Sequence, residues 1–171
     1  AKETLNIMQR LYESHKVLTY PRTDSRYITT DVADTLKERL KACSVGPYRK
    51  LAGSLSMRPI RKNASFVDNK KVTDHHAIIP TEQFVDLQAM TNEERKVYDL
   101  VVRRFLAVLL PAFEYDQTVF TGELAGESFT AKGKIVKSQG WKEAYENLET
   151  DEEWEEADDL AAAPKEQTLP S

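Results

Sequence analysis

The stretch TNEERKVYDLVVRRFLAVLLP, residues 91–111, decides the fold, because it sets a long amphipathic helix before an abrupt change of pattern. Thr91 and Glu94 have the spacing of a capping box. The threonine hydroxyl can accept from the backbone N–H three residues on, and the glutamate can reach back. Val97, Leu100, Val101, Phe105, Val108 and Leu109 recur at helical spacing and predict one broad apolar face. Arg95, Lys96, Arg103 and Arg104 occupy much of the remainder. Pro111 closes the run. Beyond it the period drops to two: Phe113–Leu124 and Glu127–Val136 read as strands joined at Ala125-Gly126, an antiparallel hairpin. A short helix is expected from Gly140-Trp141 to about Leu148.

Upstream of this stretch the chain reads as mainly helical. Leu5, Met8, Leu11 and Tyr12 predict a helix over residues 2–14, followed by the β-prone run Lys16–Tyr20, which Pro21 halts. Thr30 has the chemistry of an N-cap for a helix over Asp31–Ala42, with Val32, Leu36 and Leu40 inward. Pro47 suits the first turn of a third helix carrying Tyr48, Leu51 and Leu55. Residues 58–74, polar and basic, read as loop. Phe66, Phe84 and Phe113 are expected in the core, and Cys43 is expected to be a small buried residue. The reading is therefore α+β: a helical unit over 1–111, a β segment over 112–148, and an acidic linker over 149–171.

At 40% hydrophobic, the 171 residues can bury one sizeable core. No apolar run approaches the roughly 20 residues that span a bilayer, and no secretory leader is visible. A single cysteine excludes an internal disulfide and a multi-thiolate zinc site, which fits a reducing, cytoplasmic setting. Net charge misleads. Residues 1–80 hold 15 Lys and Arg against 8 Asp and Glu, while the remainder holds 9 against 20. A basic first half suits a polyanion partner without demanding one. A chain beginning at Ala1 already in helical register is expected to be a segment of a longer protein.

Two segments carry chemistry. In Leu18-Thr19-Tyr20-Pro21-Arg22-Thr23-Asp24-Ser25-Arg26-Tyr27, a phenol lies two residues from a guanidinium. A phenol with a pKa of about 10 is a poor nucleophile at neutral pH unless its anion is stabilised or its proton removed. Arg22 could do the former and grip a phosphate through two oxygens. In Thr73-Asp74-His75-His76-Ala77-Ile78-Ile79-Pro80-Thr81, the apolar stop beside two histidines implies shelter for at least one imidazole. Each feature alone has an ordinary structural reading. Tyr20 could be a packing residue in a turn, and Arg22 a surface cation.

In this order, the two segments resemble the active-site motifs of type IA DNA topoisomerases. That family carries a Tyr-x-Arg-Thr/Ser-Asp-Ser run and a later His-x-Ala-Ile-x-Pro-Thr. Pro21, Arg26-Tyr27, His76 and Ile79 are closer to the topoisomerase III branch. The resemblance implies that Tyr20 attacks a DNA strand and becomes bonded to its 5′-phosphate. It further implies that Arg22 binds phosphate and orients the tyrosine, that His75 lies beside the scissile phosphate, and that Asp24 partners His75. Thr23, Ser25, Arg26 and His76 are then expected to contact DNA. It also implies a winged-helix-like tyrosine-bearing domain followed by part of a β-rich hinge. Mg²⁺ would be held by a toprim domain absent from this chain, and no ATP would be used. The implied partners are single-stranded DNA and the remaining domains of the polypeptide, in a bacterial, nucleoid-associated setting and with no membrane. A non-catalytic DNA-binding or interaction module of winged-helix type is the alternative.

Overall fold

The computed structural model describes residues 1–146, so the expected acidic linker and the end of the last helix lie outside the described residues. Helices α1 (Lys2–Glu13), α2 (Thr30–Asp34), α3 (Leu36–Ala42), α4 (Arg49–Ser56), α5 (Asn92–Leu109) and α6 (Glu143–Glu146) accompany strands β1 (Glu114–Leu124) and β2 (Glu127–Ser138). The two strands pair antiparallel, and the fold is α+β. Among the described residues no helix is long and apolar enough to cross a membrane.

Helix α5 is the spine. Its capping box forms as expected, with Thr91 Oγ1 accepting from Glu94 N–H and Glu94 accepting from Thr91 N–H. The buried stripe is rotated from the one read in the sequence: Tyr98, Val102, Phe105 and Leu106 face the core, while Leu100 is 66% exposed. The helix carries two overlapping apolar stripes one residue apart, and packing against α1, α4 and α6 selects the second. Leu11 and Ile7 of α1, Leu18, Leu36 and Leu40 complete the same core. Cys43 is fully buried, its Sγ directed at Leu40 O, and burial pushes its thiol up to about 12. Of the three phenylalanines expected inside, Phe66 and Phe113 are half-buried and Phe84 is exposed, its loop burying the neighbouring Val85 instead.

Two helix boundaries differ from expectation. The helix expected over 31–42 breaks at Thr35, whose hydroxyl donates to Val32 O at 2.8 Å and accepts from Arg39 Nε at 2.8 Å. This local bonding competes with the helix ladder. The N-cap of α2 is Thr29 rather than Thr30. The run Lys16–Tyr20 forms no strand. It makes one antiparallel bridge, Leu18 to Pro80, because Pro80 offers no N–H to extend the ladder.

The hairpin turns through Ala125 and Gly126, both at positive φ, as a two-residue primed turn requires. Gly140 closes its base at φ +51°, and a Cβ there would stand 2.1 Å from Ala112 O. Both faces of the ribbon are exposed, including Phe120, Leu124, Phe129 and Ile135.

The interface between α1 and α5 contains one ionic knot. Glu94, nearly covered, accepts from Arg10 Nε at 2.8 Å and lies 3.1 Å from His15 Nε2. The Arg10 bond, then the Thr91 N–H and His15, hold its carboxyl below the usual carboxylate range. A lowered folded pKa means this stabilisation is complete above the unfolded value of about 4.3 and is lost as pH falls through the folded one. Glu94→Gln is expected to cost about 1–3 kcal/mol at neutral pH in urea unfolding. The same change should flatten the loss of stability below about pH 4.

Candidate active site

The two chemistry-bearing segments lie side by side. Thr19 N–H donates to Ile79 O and Thr81 N–H to Val17 O, each at 3.0 Å, around the Leu18–Pro80 bridge. The Thr19 hydroxyl doubles the link: it donates to Ala77 O at 3.2 Å and accepts from Ile79 N–H at 3.0 Å. Thr81 Oγ1 donates to Lys16 O at 2.6 Å, pinning a residue that adopts a left-handed φ of 57°. From the far side, buried Arg39 donates through Nη1 to Pro80 O at 2.9 Å and through Nη2 to Glu82 at 2.9 Å. Ile79 and Pro80 are buried, so the second segment has no freedom to drift.

This register brings Tyr20 and His75 together. Their ring centroids lie 4.1 Å apart with planes tilted by 33°. The other flank of Tyr20 meets Tyr12 of α1 edge-on, at 5.4 Å and 83°. The phenol is thus fixed by two rings from different elements, as aromatic quadrupoles prefer. Tyr20 is half-buried, and its hydroxyl makes no hydrogen bond among the described residues. With Lys16, Thr19 and Thr81 it lines an open concavity of about 630 Å³.

Of the other residues singled out in the sequence, Thr23 alone has a hydrogen bond to His75 among the described residues. Arg22 is exposed and has no hydrogen bond or ion pair among the described residues, leaving its guanidinium available to an incoming anion. Asp24 is exposed and likewise makes none among them. The contact to the histidine segment comes instead from Thr23, whose Oγ1 donates to His75 O at 2.8 Å and accepts from Ser25 N–H. Ser25 Oγ donates to Lys71 O at 2.8 Å. His75 is exposed except where it meets Tyr20. His76 is the sheltered imidazole, its Nδ1 2.7 Å from Ala77 O. Among the described residues no three His, Cys, Asp or Glu side chains are grouped to hold a metal ion.

Two features were not read from the sequence. Thr19 and Arg39 position the histidine segment, yet each looks ordinary without its distant partner. Tyr27 has a hydroxyl that accepts from Arg26 Nη2 and Lys71 Nζ, each at 3.3 Å. These bonds, Arg26 first and Lys71 second, hold its phenol below the usual range.

A family model described as DNA topoisomerase matches residues 1–170. DNA topoisomerase 3 of Bacillus cereus is 60% identical over 170 residues, 99% of this chain and 22% of that protein. DNA topoisomerase 3 of Bacillus anthracis is also 60% identical, with the same coverage. DNA topoisomerase 3 of Bacillus subtilis (strain 168) is 51% identical over 171 residues, 100% of this chain and 23% of that protein. The chain spans about a fifth of the length of the curated relatives it matches.

Thr19→Val removes both side-chain bonds between the segments and leaves Ile79 N–H without its partner. It is expected to lower the unfolding free energy by about 1–3 kcal/mol, and Thr19→Ser by less than about 1 kcal/mol, in chemical denaturation.

Proposed function

The chain belongs to the DNA topoisomerase family, in its type IA branch and most like topoisomerase III, and from that membership we propose that Tyr20 is the nucleophile of the parent polypeptide. The observation that carries the proposal is the stack of Tyr20 on His75, 55 residues apart in sequence and 4.1 Å apart by ring centroid. The phenolic oxygen attacks a phosphorus of one DNA strand, and the bond from phosphorus to the 3′-oxygen breaks. The 5′-phosphate stays on the tyrosine. The phenol gives up its proton and the departing 3′-oxygen gains one. Reversal by that 3′-hydroxyl reseals the strand. The ester conserves the energy of the phosphodiester, so the cycle needs no ATP.

Each neighbour then has a task. Arg22, cationic and free of a carboxylate partner among the described residues, holds phosphate oxygens as charge builds on them. His75, against the ring of Tyr20, is placed to hold or move a proton at the reacting oxygens. Asp24 follows on the same loop as the partner His75 acquires when the strand is bound. Thr23, Ser25, Arg26 and His76 form the surface along which the strand lies. Mg²⁺, assigned by family resemblance to a toprim domain elsewhere in the polypeptide, supplies further charge compensation. The exposed hairpin is the returning part of a hinge, its apolar side chains covered by the remaining domains. Support for that assignment is physical: an uncovered two-stranded ribbon is marginal by itself.

A non-catalytic strand-binding module would leave Tyr20 as packing only. The ring of half-buried Tyr20 lies against the His75 imidazole while its hydroxyl makes no hydrogen bond among the described residues, and that pairing favours the catalytic reading, since a buried packing tyrosine usually bonds its oxygen. In the full-length polypeptide, Tyr20→Phe is expected to abolish cleavage of a single-stranded oligonucleotide. Arg22→Ala and His75→Ala should each slow it by about 10²-fold or more. The isolated 171 residues with Mg²⁺ should not relax supercoiled plasmid. Cleavage by the Tyr20→Phe polypeptide, read on a sequencing gel, would return Tyr20 to a structural role.

A further inference from the structure

A second concavity, of about 670 Å³, opens beside the loop that leaves Tyr20, and the proposed chemistry does not use it. Its floor is apolar: Ile28, Leu36, Phe66, Ile79 and Phe105. Its mouth is polar and cationic, formed by Ser25, Arg26, Tyr27 and Arg104, and among the described residues no Asp or Glu lines it. That size suits a small-molecule or nucleotide group, and an apolar floor with a few placed polar groups is the usual make-up of such a site.

The mouth is built, not incidental. Ile28 N–H donates to Phe66 O at 2.8 Å, Asp68 N–H to Ile28 O at 3.0 Å, and Ala77 N–H to Tyr27 O at 2.8 Å. Tyr27 and Ile28 are therefore tied by backbone bonds to two separate segments, at Ala77 and at Phe66–Asp68. Lys71, anchored by the Ser25 hydroxyl on its carbonyl, places its ammonium 4.5 Å from the Tyr27 ring centroid, and the Arg26 guanidinium lies 5.4 Å from the same point. The Tyr27 oxygen accepts from both cations, which leaves its own O–H free to donate to a ligand. Lys71 has only a loose carboxylate neighbour, Asp68 at 3.6 Å, and Arg26 and Arg104 have none among the described residues. A hydroxyl and two guanidiniums above an apolar, Phe-lined floor, with the Lys71 ammonium 3.3 Å from that hydroxyl, are complementary to a phosphate attached to a flat aromatic group.

We propose that this cavity takes one nucleobase of the bound DNA strand, stacked over Phe66, with the adjoining phosphate held by Arg26, Lys71, Arg104 and the Tyr27 hydroxyl. This rests on the reading of the parent as a protein that grips a single DNA strand, and it deepens that reading. The chain from Tyr20 to Tyr27 has a reach of at most about 25 Å. The captured base therefore lies within a few nucleotides of the attacked phosphate. Occupancy anchors the strand and sets its register over Tyr20.

The test uses the full-length polypeptide and fluorescent oligothymidylate in which one abasic position is walked along the strand. Anisotropy is recorded across a salt series, and the covalent adduct is scored in parallel. One abasic position, a few nucleotides from the cleavage site, should weaken binding about tenfold. Filling the cavity with Val108→Trp should erase that dependence. Arg104→Ala and Lys71→Ala, both at exposed positions, should each lower the slope of log affinity against log salt by about 0.7. Affinity indifferent to every abasic position, or salt slopes unchanged in both variants, overturns the proposal, even with adduct formation intact. Abasic and salt dependence as described, without any adduct, supports the cavity and sinks the nucleophile assignment instead.

Discussion

Everything at the candidate site depends on one short register: Val17–Thr19 running antiparallel to Ile79–Thr81. Two backbone bonds, both side-chain bonds of Thr19 and the clamp of Arg39 on Pro80 fix it. A lone bridge of this kind is weak in water. It survives because Leu18, Ile79 and Pro80 are buried, so breaking it would leave amide groups unpaired away from solvent. The consequence is chemical: a phenol and an imidazole far apart in sequence are held ring against ring, with no direct bond between them to provide the alignment.

The rest of the molecule holds that register still. Helix α5 supplies the floor of the core, and its first turn joins α1 through Glu94, Arg10 and His15. Helix α1 in turn delivers Tyr12 to the edge of Tyr20. Rigid packing thus reaches the phenol from one side and the histidine segment from the other. Its hydroxyl remains unbonded among the described residues. The loop from Arg22 to Tyr27 then carries a series of donors and cations, pinned at Thr23 and Ser25 and open toward solvent at Arg22 and Arg26.

Local physics was legible in the sequence. The capping box at Thr91, the existence of helix α1 and the hairpin with its two-residue turn follow from spacing and turn chemistry alone, and all three form, although α1 buries Ile7 and Leu11 and leaves Tyr12 exposed. Longer-range choices were not. Residues 97 and 98 start two equally plausible stripes on α5, and only the neighbouring helices choose Tyr98 over Leu100 for burial. The break at Thr35 depends on Arg39 reaching back to its hydroxyl, and Arg39 is oriented by Pro80, 41 residues away. At the candidate site, Tyr20 and His75 could be singled out because their chemistry is rare in that pattern. Thr19, an ordinary β-prone residue, could not, since its role exists only once Ala77 and Ile79 lie opposite. Asp24 illustrates the reverse: a residue marked by motif that makes no hydrogen bond or ion pair to His75 among the described residues.

The central claim is that the oxygen of Tyr20 becomes the ester partner of the broken strand. Its most direct measurement is peptide mass spectrometry of the covalent adduct trapped between the full-length polypeptide and a single-stranded oligonucleotide. A nucleotide mass is expected on the peptide containing Tyr20, bonded through a 5′-phosphate, with a free 3′-hydroxyl on the released piece. Modification at any other residue, or a phosphate left on the 3′ side of the break, would contradict it.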